Sequence, residues 1–189
     1  MGDYGYYLGP KFSYGIGLKG GAGIGVYLIN TGKGYDLGLG VTASFGANFS
    51  ASASVGSDYI YFPNATSKEH VSGDYESIEA SITVKPGIGG SIGVVFYFPK
   101  ENGKVNYSPS AKGFGIGLSG EVGVGASLPA NVTVGKHTGE SWWKSFNGPI
   151  ASAISKVDNK IKQINNLDLI LKSSLNYIQN NPNIFKEKK

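Results

Sequence analysis

From Phe12 to Val55, apolar residues occupy every second position, and Gly or Ser fills most of the positions between. The even register of the first run carries Phe12, Tyr14, Ile16, Leu18, Ala22, Ile24, Val26 and Leu28, and the odd register is mostly Gly and Ser with Lys19. A period of two is a strand signal, because successive side chains point to opposite faces of a sheet. Asn30-Thr31-Gly32-Lys33-Gly34 supplies turn chemistry. A second run then sets Tyr35, Leu37, Leu39, Val41, Ala43, Phe45 and onward to Val55 against Asp36, Gly38, Gly40, Thr42 and Ser44. That alternation covers roughly 70 Å if straight, far beyond an ordinary strand. Such length predicts a long hairpin, or a strand that coils at its glycines.

The pattern returns in a third strand from Ile78 to Phe98, interrupted at Pro86-Gly87, which fits an edge position, a bulge or a bend. A loop follows from Pro99 to Lys112, with Asn102-Gly103 as its tightest turn signal. The fourth strand runs from Phe114 to Val134. Tyr14–Val26 and Phe114–Ala126 align at an offset of 100 residues, with seven of thirteen positions identical, the product of duplication or of convergence under one strand pattern. After Gly139 the composition changes: Trp142-Trp143 reads as an aromatic hinge, and Asn147-Gly148-Pro149 as a helix start. Ile150, Ile154, Val157, Ile161, Ile164, Leu167, Leu171, Leu175 and Ile178 form one apolar stripe, with lysines and amides opposite. The expected fold is mainly β: a Gly-rich, antiparallel, long-stranded barrel or strongly curved sheet of two long hairpins (residues 1–140), with an amphipathic α-helix packed on it (residues 141–181) and a Lys-rich tail (182–189).

Composition sharpens this picture. At 189 residues the chain suits one domain, and its 30 glycines need a reason in close packing, curvature or a smooth inner wall. There is no cysteine, so disulfides and Cys-based zinc sites are excluded. The net charge of +4 comes from lysine alone, and the absence of arginine argues against nucleic acid as a partner. No apolar run is long enough for a transmembrane helix. Met1-Gly2-Asp3-Tyr4 has no signal-peptide pattern, and the expectation is a domain excised from a longer chain.

Catalytic signals are thin. His70 and His137, near Glu69 and Glu140, lack any accompanying hydrolase or zinc motif and read as surface-loop histidines. The Gly-x-Gly strings lie inside alternating strands, not at a strand-to-helix turn, so nucleotide binding is rejected and no cofactor is expected. The aromatic distribution carries more. Membrane barrels place aromatic girdles around an apolar band ~25 Å tall, with a polar lumen. Here Leu37, Leu39, Val41, Ile82, Ile88, Ile92 and Val94 are candidate lipid-facing positions, with Tyr27, Tyr35, Phe96, Phe98, Trp142 and Trp143 as candidate interface aromatics. The helical stripe is expected to cover the apolar face of the sheet, its alternative place being a membrane interface.

The Gly-Ile-Gly-Leu and Gly-Val-Gly-Ala strings, followed by a Lys/Asn/Ile-rich helical tail, resemble the variable C-terminal domains of bacterial Rhs-type polymorphic toxin proteins. That resemblance implies a secreted interbacterial effector domain, delivered by a larger carrier, with an immunity protein as partner. No functional residue carries over from it. The leading expectation is a membrane-active, non-enzymatic domain whose Gly/Ser-faced hairpins line a pore, partnered by lipid and by further copies of itself. A soluble barrel binding an apolar ligand or a protein is the alternative, and a hydrolytic toxin using His70 or His137 the third.

Overall fold

The computed structural model describes residues 4–83, 87–125 and 130–163, with the isolated helical positions 173, 176 and 180. Its strands are β1 (Tyr4–Asn30), β2 (Tyr35–Phe62), β3 (Gly73–Thr83), β4 (Gly87–Glu101), β5 (Lys104–Val105), β6 (Gly115–Gly125) and β7 (Ala130–Phe146). Two helices, α1 (Lys68–Val71) and α2 (Gly148–Gln163), complete the fold. The protein is an antiparallel, curled β-sheet with a small helix at its C-terminal side, as the alternation predicts.

Pairing explains the curl. β1 and β2 form one long hairpin, in register from Gly5↔Phe62 to Asn30↔Tyr35, with an irregularity between Gly15 and Gly17. The outer edge of β2 is then shared: its first half pairs with β7 and its second half with β6. Because β6, β4, β3 and β7 follow one another in the sheet, the path that leaves β2 returns to β2. β1 doubles back in step, as contacts between its halves are symmetric about Gly17: Tyr7 packs on Tyr27 at 4.8 Å, and Asn30 Nδ2 donates to Tyr4 Oη at 3.0 Å. The result is a curled, half-barrel sheet in which β2 contributes twice to the wall.

Three expectations change. The segments from Ile78 to Phe98 and from Phe114 to Val134 each contain parts of two strands, β3 and β4 in the first and β6 and β7 in the second. Pro86 and Pro129 themselves lie outside the described residues. Trp142 and Trp143 belong to β7, which continues to Phe146 past the boundary expected at residue 140, since Leu39 and Gly38 pair with them in the ladder. The Asn102-Gly103 turn, by contrast, forms as expected, with φ of 52° and 77° and Glu101↔Lys104 pairing across it.

Side chains inside the barrel explain much of the glycine. Odd positions of β1 face inward, where Tyr7, Tyr27 and Ile29 are buried. Tyr27 lies over Gly40 and Trp143 over Gly38, so a Cβ at these glycines would sit 2.5 Å and 2.6 Å from the rings; Tyr7 covers Gly25 in the same way. Glycine here makes room for aromatic knobs. Gly40→Val is therefore expected to cost about 1–3 kcal/mol through overpacking, read as a lower urea midpoint. Ile60, Phe62, Val95 and Tyr97 join the same inner cluster. A second cluster of Phe98, Ala111, Phe114 and Ile116 forms on the outer side, where the 106–114 loop folds over β4 and β6.

Candidate functional site: an apolar outer band around a polar interior

Along the middle of the wall the larger apolar residues stand outside, and the inner face carries small and charged residues below the aromatic core. Cross-strand pairs share a face, so Ile24 with Val41 and Val26 with Leu39 all point outward, and all four are exposed. Leu8, Phe12, Val55, Ile92, Val122 and Val124 extend this band across β1, β2, β4 and β6, with Val122 68% and Ile92 62% exposed. Rings bound it at both ends. At the loop-bearing end Tyr6 stacks on Tyr59 at 5.9 Å and meets Tyr61 at 5.4 Å. At the other end Tyr14 and Phe45 are exposed where β1 and β2 bend. β3 and β6 are 11 residues each, close to the ~9–11 a tilted strand needs to cross a bilayer.

The expected lipid-facing residues fall into three groups. Leu39, Val41 and Ile92 lie exposed in the band; Leu37 and Val94 are half-buried, Val94 against the outer cluster. The side chains of Ile82 and Ile88 lie outside the described residues. Of the expected interface aromatics, Tyr27 is a correction: it points inward and is wholly buried, because its odd position shares the Gly face. Trp143 is likewise an inward residue, 5.7 Å from the Tyr27 ring. Phe98 is covered by Phe114 and Tyr107, and Phe96 packs half-buried beside it. Tyr35 is on the outer row but buried at the rim, its hydroxyl donating to Asp158 of α2 at 3.1 Å. The Trp142 side chain lies outside the described residues. Tyr6, Tyr59 and Tyr61 form the rim, and their signal in the sequence was a short Tyr-rich alternation at each end of the first hairpin.

Polar groups fill the interior below the aromatic cluster. Lys11 Nζ lies 2.8 Å from Asp58, 3.0 Å from Glu121 and 3.9 Å from Glu79, and donates to Ser119 Oγ at 2.6 Å. Ser54 Oγ donates to Glu121 at 2.8 Å, and Tyr97 Oη to Asp58 at 3.3 Å. Four strands thus aim charge at one point, which the sequence spacing does not announce. The cavity beside this cluster is about 60 Å³, room for a few waters.

α2 docks through a polar residue. Asp158 accepts from Tyr4 Oη and Tyr35 Oη, while Ile150 and Val157 of the expected apolar stripe remain exposed. Ile154 of the same stripe is half-buried, so as far as Val157 the stripe covers the sheet only in part; the side chain of Ile161, and Ile164 with the leucines beyond, lie outside the described residues. At the same end of the barrel, His70 Nδ1 accepts from the Thr66 N–H at 3.1 Å, tying the loop around α1. Burial, and then Lys112, lower its pKa, so the unfolded chain takes up the proton first and stability falls as pH drops through the ordinary imidazole range. His70→Gln is expected to flatten that part of a urea-midpoint-against-pH curve. The side chain of His137 lies outside the described residues. Among the described residues, no group of His, Cys, Asp and Glu is arranged to hold a metal.

No protein-family model, curated protein or solved structure matches the chain, so the resemblance to Rhs-type toxin domains rests on the residue pattern alone.

Proposed function

We propose that the protein is a membrane-active, non-enzymatic β-barrel that embeds in a lipid bilayer and holds its loop-bearing end at the membrane surface. The observation that carries this reading is the exposed outer band: large apolar side chains stand outside along the middle of the wall, while the inner face there carries glycine, serine and an ion-pair cluster below the aromatic core. In water such a contiguous band is an aggregation hazard; in hydrocarbon it is the matched surface. No helix among the described residues is long and apolar enough to cross a membrane, so crossing falls to the strands. Ladder pairing along β2, β6, β4, β3 and β7 satisfies the backbone groups of those strands.

The filled interior refines the expectation of a pore. A barrel of this size has a lumen just wide enough for side chains, and here Tyr7, Tyr27, Phe62 and Tyr97 occupy it above Lys11. A single chain embeds without conducting. Refolding from urea into phosphatidylcholine vesicles tests both halves of the proposal. The chain is expected to float with the vesicles and resist alkaline extraction, with no release of entrapped dye. A folded chain that stays behind during floatation contradicts embedding, and dye release contradicts the sealed lumen.

A further inference from the structure

We infer that the exposed face of α2 is a docking surface for anionic phospholipid headgroups, lying along the membrane surface beside the tyrosine rim. This rests on the lipid-embedded reading of the barrel. Tyr4, Asn30 and Tyr35 are outward positions at the end of the wall, and Asp158 accepts from both tyrosine hydroxyls. The Tyr4 ring also lies 5.5 Å from Tyr6 and 6.3 Å from Tyr61. The helix is therefore held on the outer wall at the level where the apolar band ends.

Charge and shape on its free face fit that place. Asp158 is the single acidic residue between Gly148 and Gln163, and it is 1% exposed, so its charge is turned into the dock. Lys156 and Lys160 are exposed, and no ion pair with the described residues engages either. Ile150 and Val157, two turns apart, are 56% and 59% exposed on one stripe. At ~100° per residue the two lysines fall about 60° and 100° to one side of Val157. An apolar stripe flanked by lysines suits a helix in the headgroup layer, where anionic lipid attracts each cation.

The absence of native cysteine makes the test direct. Val157→Cys and Val122→Cys, each carrying an environment-sensitive fluorophore, are refolded into vesicles of phosphatidylcholine alone or mixed with phosphatidylglycerol. The Val157 label is expected to shift to the blue in the mixed vesicles only. Lys156→Gln with Lys160→Gln removes that shift and leaves the Val122 label unchanged. A Val157 label that stays in water in both vesicles, while the Val122 label enters hydrocarbon, overturns the inference and leaves the barrel reading standing. Equal blue shifts in neutral and anionic vesicles overturn the role of charge. Both labels in water overturn the inference and the barrel reading together.

Discussion

A lysine at Val122 is expected to remove about 2–4 kcal/mol of stability in a bilayer, the cost of an amine on the lipid face near the midplane. Val122 stands at the centre of the outer band, paired with Val55 on β2 and Gly90 on β4, and touches little of the rest of the protein. In a water-facing sheet the same change would fall within about 0.5 kcal/mol, as exposed substitutions do. The two cases are therefore well separated. Ile92→Lys, at a position 62% exposed, is expected to behave the same way. Ser110→Lys, in the exposed part of the 106–114 loop, is expected to change nothing. Urea titration of chains refolded in vesicles, with each midpoint compared at constant slope, measures all three. A Val122→Lys protein as stable in vesicles as the parent would place that residue in water.

The interior makes an equally large prediction. Lys11→Ala leaves Asp58, Glu79 and Glu121 inside the barrel without the cation that all three face. Breaking a buried ion cluster by removing one partner costs about 3–5 kcal/mol, because the remaining charges stay desolvated. Ser119 and Tyr97 remain to donate to the site, but neutral hydroxyls replace little of an ammonium's interaction. Adding Glu121→Gln to Lys11→Met removes one of the stranded charges and is expected to recover part of the loss. The double-mutant cycle separates that interaction from simple loss of packing. A Lys11→Ala midpoint equal to that of the parent would show that the cluster is solvated and does not fill the lumen.

The sequence shows which residues alternate, and the hairpin from Tyr4 to Phe62 follows from that alone. Turn chemistry is local, which is why Asn102-Gly103 is readable without any tertiary knowledge. Which face turns inward is a different matter. Alternation has the same period whether the core is inside or the lipid is outside, so the band was legible and its direction was not. The charged residues held the missing signal: Lys11, Asp58, Glu79 and Glu121 all fall on the small-residue face, where a solvated surface would scatter them. Tyr27 is hard to place for the same reason, being a large ring in a register made mostly of glycines. Its partner Tyr7 lies the same distance on the other side of Gly17, a symmetry that appears only once β1 bends.

The bend also separates two similar strings. Tyr14–Val26 turns through the irregularity at Gly15 and Gly17, whereas Gly115–Gly125 stays one strand between β2 and β4. Glycine permits both outcomes, and the neighbours choose. The β1 string is tied at both ends to a single partner, β2, which must curve to reach both β6 and β7. The dock of α2 is hidden for another reason: hydrophobic periodicity points to Ile150 and Val157, but the hydrogen bonds from Tyr4 and Tyr35 are accepted by Asp158 beside them.

Spin labels report the surroundings of the outer band most directly. Single cysteines replacing Phe12, Val55 and Val122, and Ser110 as the loop reference, are labelled and refolded into phosphatidylcholine vesicles. The account predicts that the first three collide freely with dissolved oxygen and hardly at all with a water-soluble nickel chelate, while the label at position 110 does the reverse. Labels at Phe12, Val55 and Val122 that meet the chelate as freely as the loop label would contradict a lipid-facing band.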